Sequence, residues 1–232
     1  QVNLAETLPG RAEFGGVTTN LTHELERSSV QVHLNSTASA ETIKEFGPDT
    51  ILVATGAVPR LPEVEVNGPD IFHAWAVIQD TVKIGQNVVI ADWACDWTGL
   101  GVAQKLAQEG HHVRLLSGAS IPGESIQAIV RDQWVGELHR LNVETVAFAR
   151  FFGAEDRTAF FQHMTNGEPI ICEDVDTIVS CFARQSDRHF DWLFDASTTD
   201  GINAQVAKIG DAVLPRTVEE AVLDGFKAAW TL

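Results

Sequence analysis

The sequence predicts an α/β protein built on parallel strands, and three observations carry that prediction. Apolar strand-like runs alternate with amphipathic helical runs along most of the 232 residues. From Gly85 through HHVRLL, a strand, a turn, a helix and a second strand fit into about 30 residues, the size of one crossover unit. Three strand ends finish on small residues: Ala54-Thr55-Gly56, Ala91-Asp92 and Gly210-Asp211-Ala212. Ligands of such sheets sit beyond the carboxyl ends of the strands.

The elements follow in chain order. Thr18 to Arg27 reads as a helix, with Thr19 or Asn20 as caps and Leu21 and Leu25 on one face. Val30 to Asn35, VQVHLN, alternates apolar and polar residues as a strand does. SAETIKEFG is a helix capped by Ser39 and stopped by Gly47. Asp49 to Ala54 is nearly continuous in apolar residues and reads as a central strand buried on both faces. Pro59, Pro62, Gly68 and Pro69 mark a connection and the first domain boundary.

NVVIAD is a buried strand. TGLGVAQKLAQEG is a helix with Leu100, Ala103, Leu106 and Ala107 inward, ended by Gly110. HHVRLL is the next strand. Ile126 to Leu141 is a helix, and Val143 to Ala147 a strand. Arg157 to Glu173 reads as a hairpin turning at Asn166-Gly167, because Asn-Gly between apolar runs favours a tight reversal. Asp176 to Cys181 and Val206 to Asp211 are strands, with a polar, turn-rich stretch over 184–201 between them. Thr217 to Trp230 closes as an amphipathic helix with Val218, Ala221, Val222, Gly225 and Ala229 on its inner side.

Composition narrows the function classes. The chain is 44% hydrophobic and 21% charged, the profile of a globular protein with its own core. No run of 18 apolar residues or signal peptide is visible, so neither a membrane partner nor secretion is expected, and the chain is read as cytoplasmic. The net charge is -16, which repels nucleic acid and suits a basic partner surface. The three cysteines, Cys95, Cys172 and Cys181, form no C-x-x-C and read as small core residues. Eight histidines are scattered without H-x-x-x-H or H-E-x-x-H spacing, so no metal site is expected. No G-x-S-x-G elbow occurs, and no residue reads as a catalytic proton donor or nucleophile.

The stretch ILVATGAVPR, Ile51 to Arg60, leaves two readings open. It is a buried strand with an ordinary turn, or a strand whose end lets a flat ligand approach the backbone. Asp211, taken by itself, is an N-cap for the last helix or a solvated turn residue.

A resemblance sharpens both. PGRAEFGG, DTILVATGAVPRLP, a central β-α-β insert, DTIVSC and AKIGDAVLPRTVEEAVLDGFKAA follow one another through most of the chain. In that order they resemble the carboxyl-terminal half of flavin oxidoreductases that join an old-yellow-enzyme barrel to a disulfide-reductase-like pair of nucleotide domains. Trimethylamine dehydrogenase, histamine dehydrogenase and 2,4-dienoyl-CoA reductase are of this type. The resemblance implies a Rossmann-like three-layer nucleotide-binding fold, incomplete at its N-terminus because the first G-x-G-x-x-G element is lacking. Residues 1–62 plus 175–232 would form an FAD- or ADP-binding-like domain, with 80–174 inserted as an NAD(P)-binding-like domain. Thr55 and Gly56 would lie near the adenosine of an FAD or ADP. Asp211 would accept from ribose or ribityl hydroxyls, with Gly210 allowing close approach.

FMN, an iron–sulfur cluster and the barrel would belong to a missing part. The chain begins at Gln1, and Met164 is its only methionine, so it is expected to be a fragment or a cleaved product. Expected partners are an adenine nucleotide, the missing N-terminal barrel part and an electron-transfer partner. The whole would be a flavin-dependent oxidoreductase acting on amines or enoyl compounds. The alternative is a non-catalytic scaffold with vestigial nucleotide sites that docks an electron carrier or a partner subunit.

The insert's phosphate turn, VVIADWACDWTGLGVAQKLA, departs from the usual fingerprint. Gly99 stands where the third glycine would allow close helix–strand packing, but the first two are absent. Asp92 and Asp96 would face a pyrophosphate. A like-charge pair about 5 Å apart costs roughly 3 kcal/mol at an effective dielectric near 20, as much as a charge-assisted hydrogen bond returns. NAD(P)H is therefore not expected to bind in the usual way. Trp93 and Trp97 flank this turn, and either plug the pocket or stack on a ligand ring, plugging being the commoner role of such aromatics.

Overall fold

The structure, a computed structural model, describes residues 1–195, 199 and 201–231. Its helices are α1 (Val2–Ala5), α2 (Gly15–Glu26), α3 (Ala40–Phe46), α4 (Ala74–Ile78), α5 (Trp97–Gln108), α6 (Ala128–Arg140) and α7 (Val218–Thr231). The strands up to the first crossover helix are β1 (Thr50–Val53), β2 (Ala57–Pro59), β3 (Val66–Asn67), β4 (Asp70–His73) and β5 (Asn87–Asp92). Then come β6 (His112–Ser117), β7 (Glu144–Val146), β8 (Ala149–Glu155), β9 (Thr158–His163) and β10 (Pro169–Cys172). The last three are β11 (Thr177–Cys181), β12 (Arg184–Ser186) and β13 (Gln205–Lys208). The chain divides into two units, 1–29 with 59–183 and 30–58 with 184–232. The sequence-based division ran 1–62 with 175–232 around an insert at 80–174.

The first unit has three layers. A parallel sheet in the order β4-β11-β5-β6-β7 forms the middle. Alternation along β5 shows how both its faces are used. Val88 and Ile90 point into a core with Leu100, Val102, Ala103 and Leu106 of α5 and Leu138 of α6. Val89 and Ala91 point the other way, onto Phe151, Ala154, Ala159 and Phe161 of a second sheet ordered β10-β9-β8-β3. A parallel strand covered on both faces needs the continuous apolar run that NVVIAD supplies.

The second unit is smaller. β1 pairs in parallel with β13, Ile51 opposite Val206 and Leu52 opposite Ala207. Its core is Val53, Leu193 and Ala212, with Ile43, Ile51, Phe190 and Val206 packed against them.

Local signals held where they specified local geometry. Ser39 caps α3 in a capping box, with the Thr42 N–H donating to Ser39 Oγ at 3.3 Å and the Ser39 N–H to Thr42 Oγ1 at 2.8 Å. Gly47 ends that helix in the left-handed region, at φ 61°. The hairpin forms from β9 and β10, antiparallel, with Gly167 at φ 75° in its turn.

Four expectations differ. Residues 30–35 form no strand, and Leu34 is 78% exposed. Thr50–Val53 is not a central strand, since β13 is its one partner among the described residues. The first long helix begins at Gly15, so Thr19 and Asn20 lie inside it rather than at its cap, and Leu21 and Leu25 are exposed. In α7 the partly covered side runs through Ala221, Asp224, Gly225 and Ala228, while Val218, Val222, Phe226 and Trp230 face outward. The turn-rich reading over 184–201 includes 196–198 and 200, which lie outside the described residues.

The layered core of the first unit sets a stability test. Leu106 is buried between α5 and the parallel sheet. Leu106→Ala is expected to lower unfolding free energy by about 2–5 kcal/mol, read as a reduced urea midpoint at unchanged slope.

Candidate functional site

Residues singled out from the sequence fall in two places, one in each unit. In the second unit, Val53 is level with Lys208, and the Ile209 N–H donates to Val53 O at 3.0 Å. Thr55-Gly56 and Gly210-Asp211 therefore leave the carboxyl ends of adjacent parallel strands. Both glycines take positive φ, 79° at Gly56 and 60° at Gly210, where a side chain would be strained. Thr55 is exposed, and Gly56 O accepts from the Asp187 N–H at 3.0 Å.

Asp211 is held by groups that the sequence pattern did not single out. Its Oδ1 accepts from the Arg216 N–H at 2.9 Å, and its Oδ2 from Arg184 Nη1 at 3.3 Å. Arg184 also donates to Arg216 O at 3.0 Å. Asp224 accepts from the Gly210 N–H at 3.2 Å and from the Arg216 guanidinium. A carboxylate has roughly four acceptor positions, so Asp211 keeps capacity for a sugar hydroxyl after these two bonds. Arg184 follows β11 by three residues, a position that no local spacing marks.

In the first unit, Gly99 lies in the first turn of α5, and its missing side chain makes room for Asp92. A Cβ there would come within 2.4 Å of the Asp92 carboxyl carbon. Asp92 is 1% exposed; its Oδ1 accepts from the Cys95 N–H at 2.9 Å, and its Oδ2 is buried without a partner. Asp96 caps α5 by accepting from the Thr98 N–H at 2.8 Å. The chain's own carboxylates thus engage donors at the helix end to which a pyrophosphate would otherwise bind. Burial pushes the Asp92 carboxyl up to about 8, against the lowering pull of the Cys95 N–H, with the Asp96 charge adding to the rise.

Trp93 stacks near-parallel on Phe182, with centroids 6.3 Å apart. Trp97 lies 5.3 Å from Trp134, with the Arg11 guanidinium 3.5 Å above the Trp97 ring. Arg11 is 6% exposed, also lies over Phe14 at 4.4 Å, and is lowered from its ordinary value mainly by burial. Leu8 enters the same core through a notch that Gly101 provides, where a Cβ would meet Leu8 Cδ1 at 2.7 Å. Both aromatics therefore pack on protein groups. Arg11 escaped notice because cation–aromatic seating depends on residues far along the chain.

All three cysteines are buried, and burial raises each thiol above its ordinary value, as core residues rather than thiolates would behave. Among the described residues no group of three or more His, Cys, Asp or Glu is placed to hold a metal. No helix among them is long and apolar enough to cross a membrane.

The three-layer α/β first unit and, in the second unit, a parallel strand pair with glycine-ended strands match the fold of disulfide-reductase-like flavoproteins. Comparison with known proteins gives the particular relatives. No family model matches the chain. It is 31% identical over 133 residues to N,N-dimethylglycine/sarcosine dehydrogenase of Chromohalobacter salexigens, an alignment covering 54% of this chain and 19% of the relative. It is 26% identical over 210 residues to cinnamate reductase of Clostridium sporogenes, covering 88% of this chain and 30% of that one. The solved histamine dehydrogenase from Rhizobium sp. 4-9 superposes on all of this chain with a TM-score of 0.91 at 19% identity, over 38% of its own length. The chain is thus similar to part of long flavin oxidoreductases and spans well under half of their length, consistent with a carboxyl-terminal portion.

The buried Asp92 sets a pH test. Its folded-state value near 8 lies above the ordinary 3.8. Between those values the unfolded chain has released the proton while the folded one keeps it, so stability falls as pH rises through this window and levels off above it. Asp92→Asn keeps an acceptor for the Cys95 N–H and removes the penalty. Its stability gain over wild type is expected to grow by about 2–4 kcal/mol from pH 5 to pH 8, measured by urea unfolding at each pH. A gain that does not change with pH would contradict the assignment.

Proposed function

We propose that the chain is the adenine-nucleotide-binding part of a flavin-dependent oxidoreductase whose whole acts on amines or enoyl compounds. The observation that carries this reading is the parallel pairing of β1 with β13, which sets two glycine-ended turns side by side. Thr55-Gly56 would let the adenosine of FAD or ADP pass over the backbone. Gly210 would admit the sugar chain, and Asp211, oriented by Arg184 and the Arg216 N–H, would accept from its hydroxyls. When bound, a flavin supplies hydride and single-electron acceptance. This chain's residues bind and orient, and none of them is assigned a catalytic proton or nucleophile.

At the α5 turn, Gly99 would serve helix–strand packing rather than phosphate, so NAD(P)H would not bind in the usual way. FMN and an iron–sulfur cluster would belong to the remainder of a longer enzyme, including a barrel part as partner. The site of action would be the cytoplasm. The relatives supporting this are a dehydrogenase of methylated amino acids and a reductase of cinnamate by their names.

A second reading, a non-catalytic module that docks an electron carrier or partner subunit, is favoured by one observation. Val218, Val222, Phe226 and Trp230 form an exposed stripe along α7, one residue per turn. Its nucleotide sites would then be vestigial.

Calorimetric titration of the purified chain separates the two. The nucleotide reading expects saturable ADP or FAD binding that Asp211→Ala weakens by about tenfold or more, with NADH giving no comparable heat. Absent ADP and FAD binding would leave the docking reading, and tight NADH binding would overturn the assignment at the α5 turn.

A further inference from the structure

In the first unit an open hollow of about 460 Å³ lies where β5 and β6 end, lined by Trp93, Cys95, Gly118, Glu124, Ser125 and Met164 among others. Its walls are apolar and acidic. Trp93 is 41% exposed and rests on Gly118, where a Cβ would come within 2.8 Å of the indole. Met164 stands exposed in the connection from β9 to β10. Glu124 is the charged residue of the lining, and no Lys or Arg joins it. Its carboxylate is held in place by the Ser120 N–H and Oγ, each at 3.1 Å. Behind the hollow, Asp92 and Asp96 already engage the donors of the β5–α5 turn and the α5 end.

Each feature selects on charge. A phosphate entering here would meet a carboxylate and find no cationic side chain to pair with. A cation with an apolar body meets the opposite: a part-exposed indole, a polarisable thioether, and a fixed carboxylate. The surrounding charge of -16 raises the local concentration of cations further.

We infer that this hollow binds a small organic cation of the aryl- or alkylammonium class, with Trp93 and Met164 covering its body and Glu124 facing its charge. The site is separate from the adenine-nucleotide assignment, which concerns the other unit, and neither depends on the other.

The test uses the full chain and phenyltrimethylammonium as the probe, followed by tryptophan fluorescence and calorimetry. Saturable binding with a Kd of about 1 mM or tighter is expected, weakening as salt is raised. Trp93→Phe should remove the fluorescence change while the heat of binding persists. Glu124→Gln, a substitution at an exposed position, should weaken binding by about fivefold. Choline should bind more tightly than its uncharged isostere 3,3-dimethylbutan-1-ol. The inference is overturned by the absence of saturation in both readouts, by unchanged affinity in Glu124→Gln, or by equal binding of choline and the uncharged alcohol. Displacement of the probe by ADP at similar concentration would also overturn it, since it would make the hollow a phosphate site.

Discussion

The parallel pairing of β1 with β13 is the constraint from which the candidate nucleotide site follows. Parallel neighbours cannot be joined by a tight turn, because the chain must travel back to the same end before it can pair. Here the return is made through the whole of 59–183, so the two strands meet although they stand near opposite ends of the sequence. Once Ile51 and Leu52 lie beside Val206 and Ala207, both strands finish at one edge. The two positive-φ glycines then follow at that edge, and Asp211 is delivered to it with its carboxylate steadied by Arg184 and the Arg216 N–H.

The β5–α5 turn shows the same architecture put to a different use. A crossover helix begins with unpaired N–H groups and a positive dipole end, which is why such turns hold phosphates. In this chain Asp96 supplies the negative partner, and the Asp92 carboxyl accepts from the Cys95 N–H of the turn. Gly99 keeps its role as the position where strand and helix come close, but what comes close is a buried carboxyl. The cost is a polar atom without a partner and an acid that retains its proton near neutral pH. The gain is a capped helix end, whose first residue, Trp97, carries Arg11 over its ring.

Much of the first unit was legible because its signals are local or periodic. The run NVVIAD, the spacing of Leu100, Ala103 and Leu106, and Asn166-Gly167 between apolar segments each describe a geometry within a few residues. The structure has the corresponding strand, helix and hairpin. In the second unit, pattern and outcome part company. Val30, Val32 and Leu34 alternate as a strand would, yet all three are exposed and no strand forms there. The residues of α7 are amphipathic, but which side is covered depends on what packs there. The small residues Ala221, Gly225 and Ala228 lie on the partly covered side, and the large apolar ones stand outside.

By itself, then, the order of residues determined the α/β class, the crossover unit, the cap of α3 and the glycine-ended strands, since each rests on backbone preference or on a short period. Only the tertiary structure decided that the turns at Gly56 and Gly210 are neighbours, that Arg184 steadies Asp211, that Leu8 needs Gly101, and that Arg11 rests on Trp97. Each of these joins residues distant along the chain. Contacts of that kind depend on which surfaces the packed core brings together, and no local propensity encodes them.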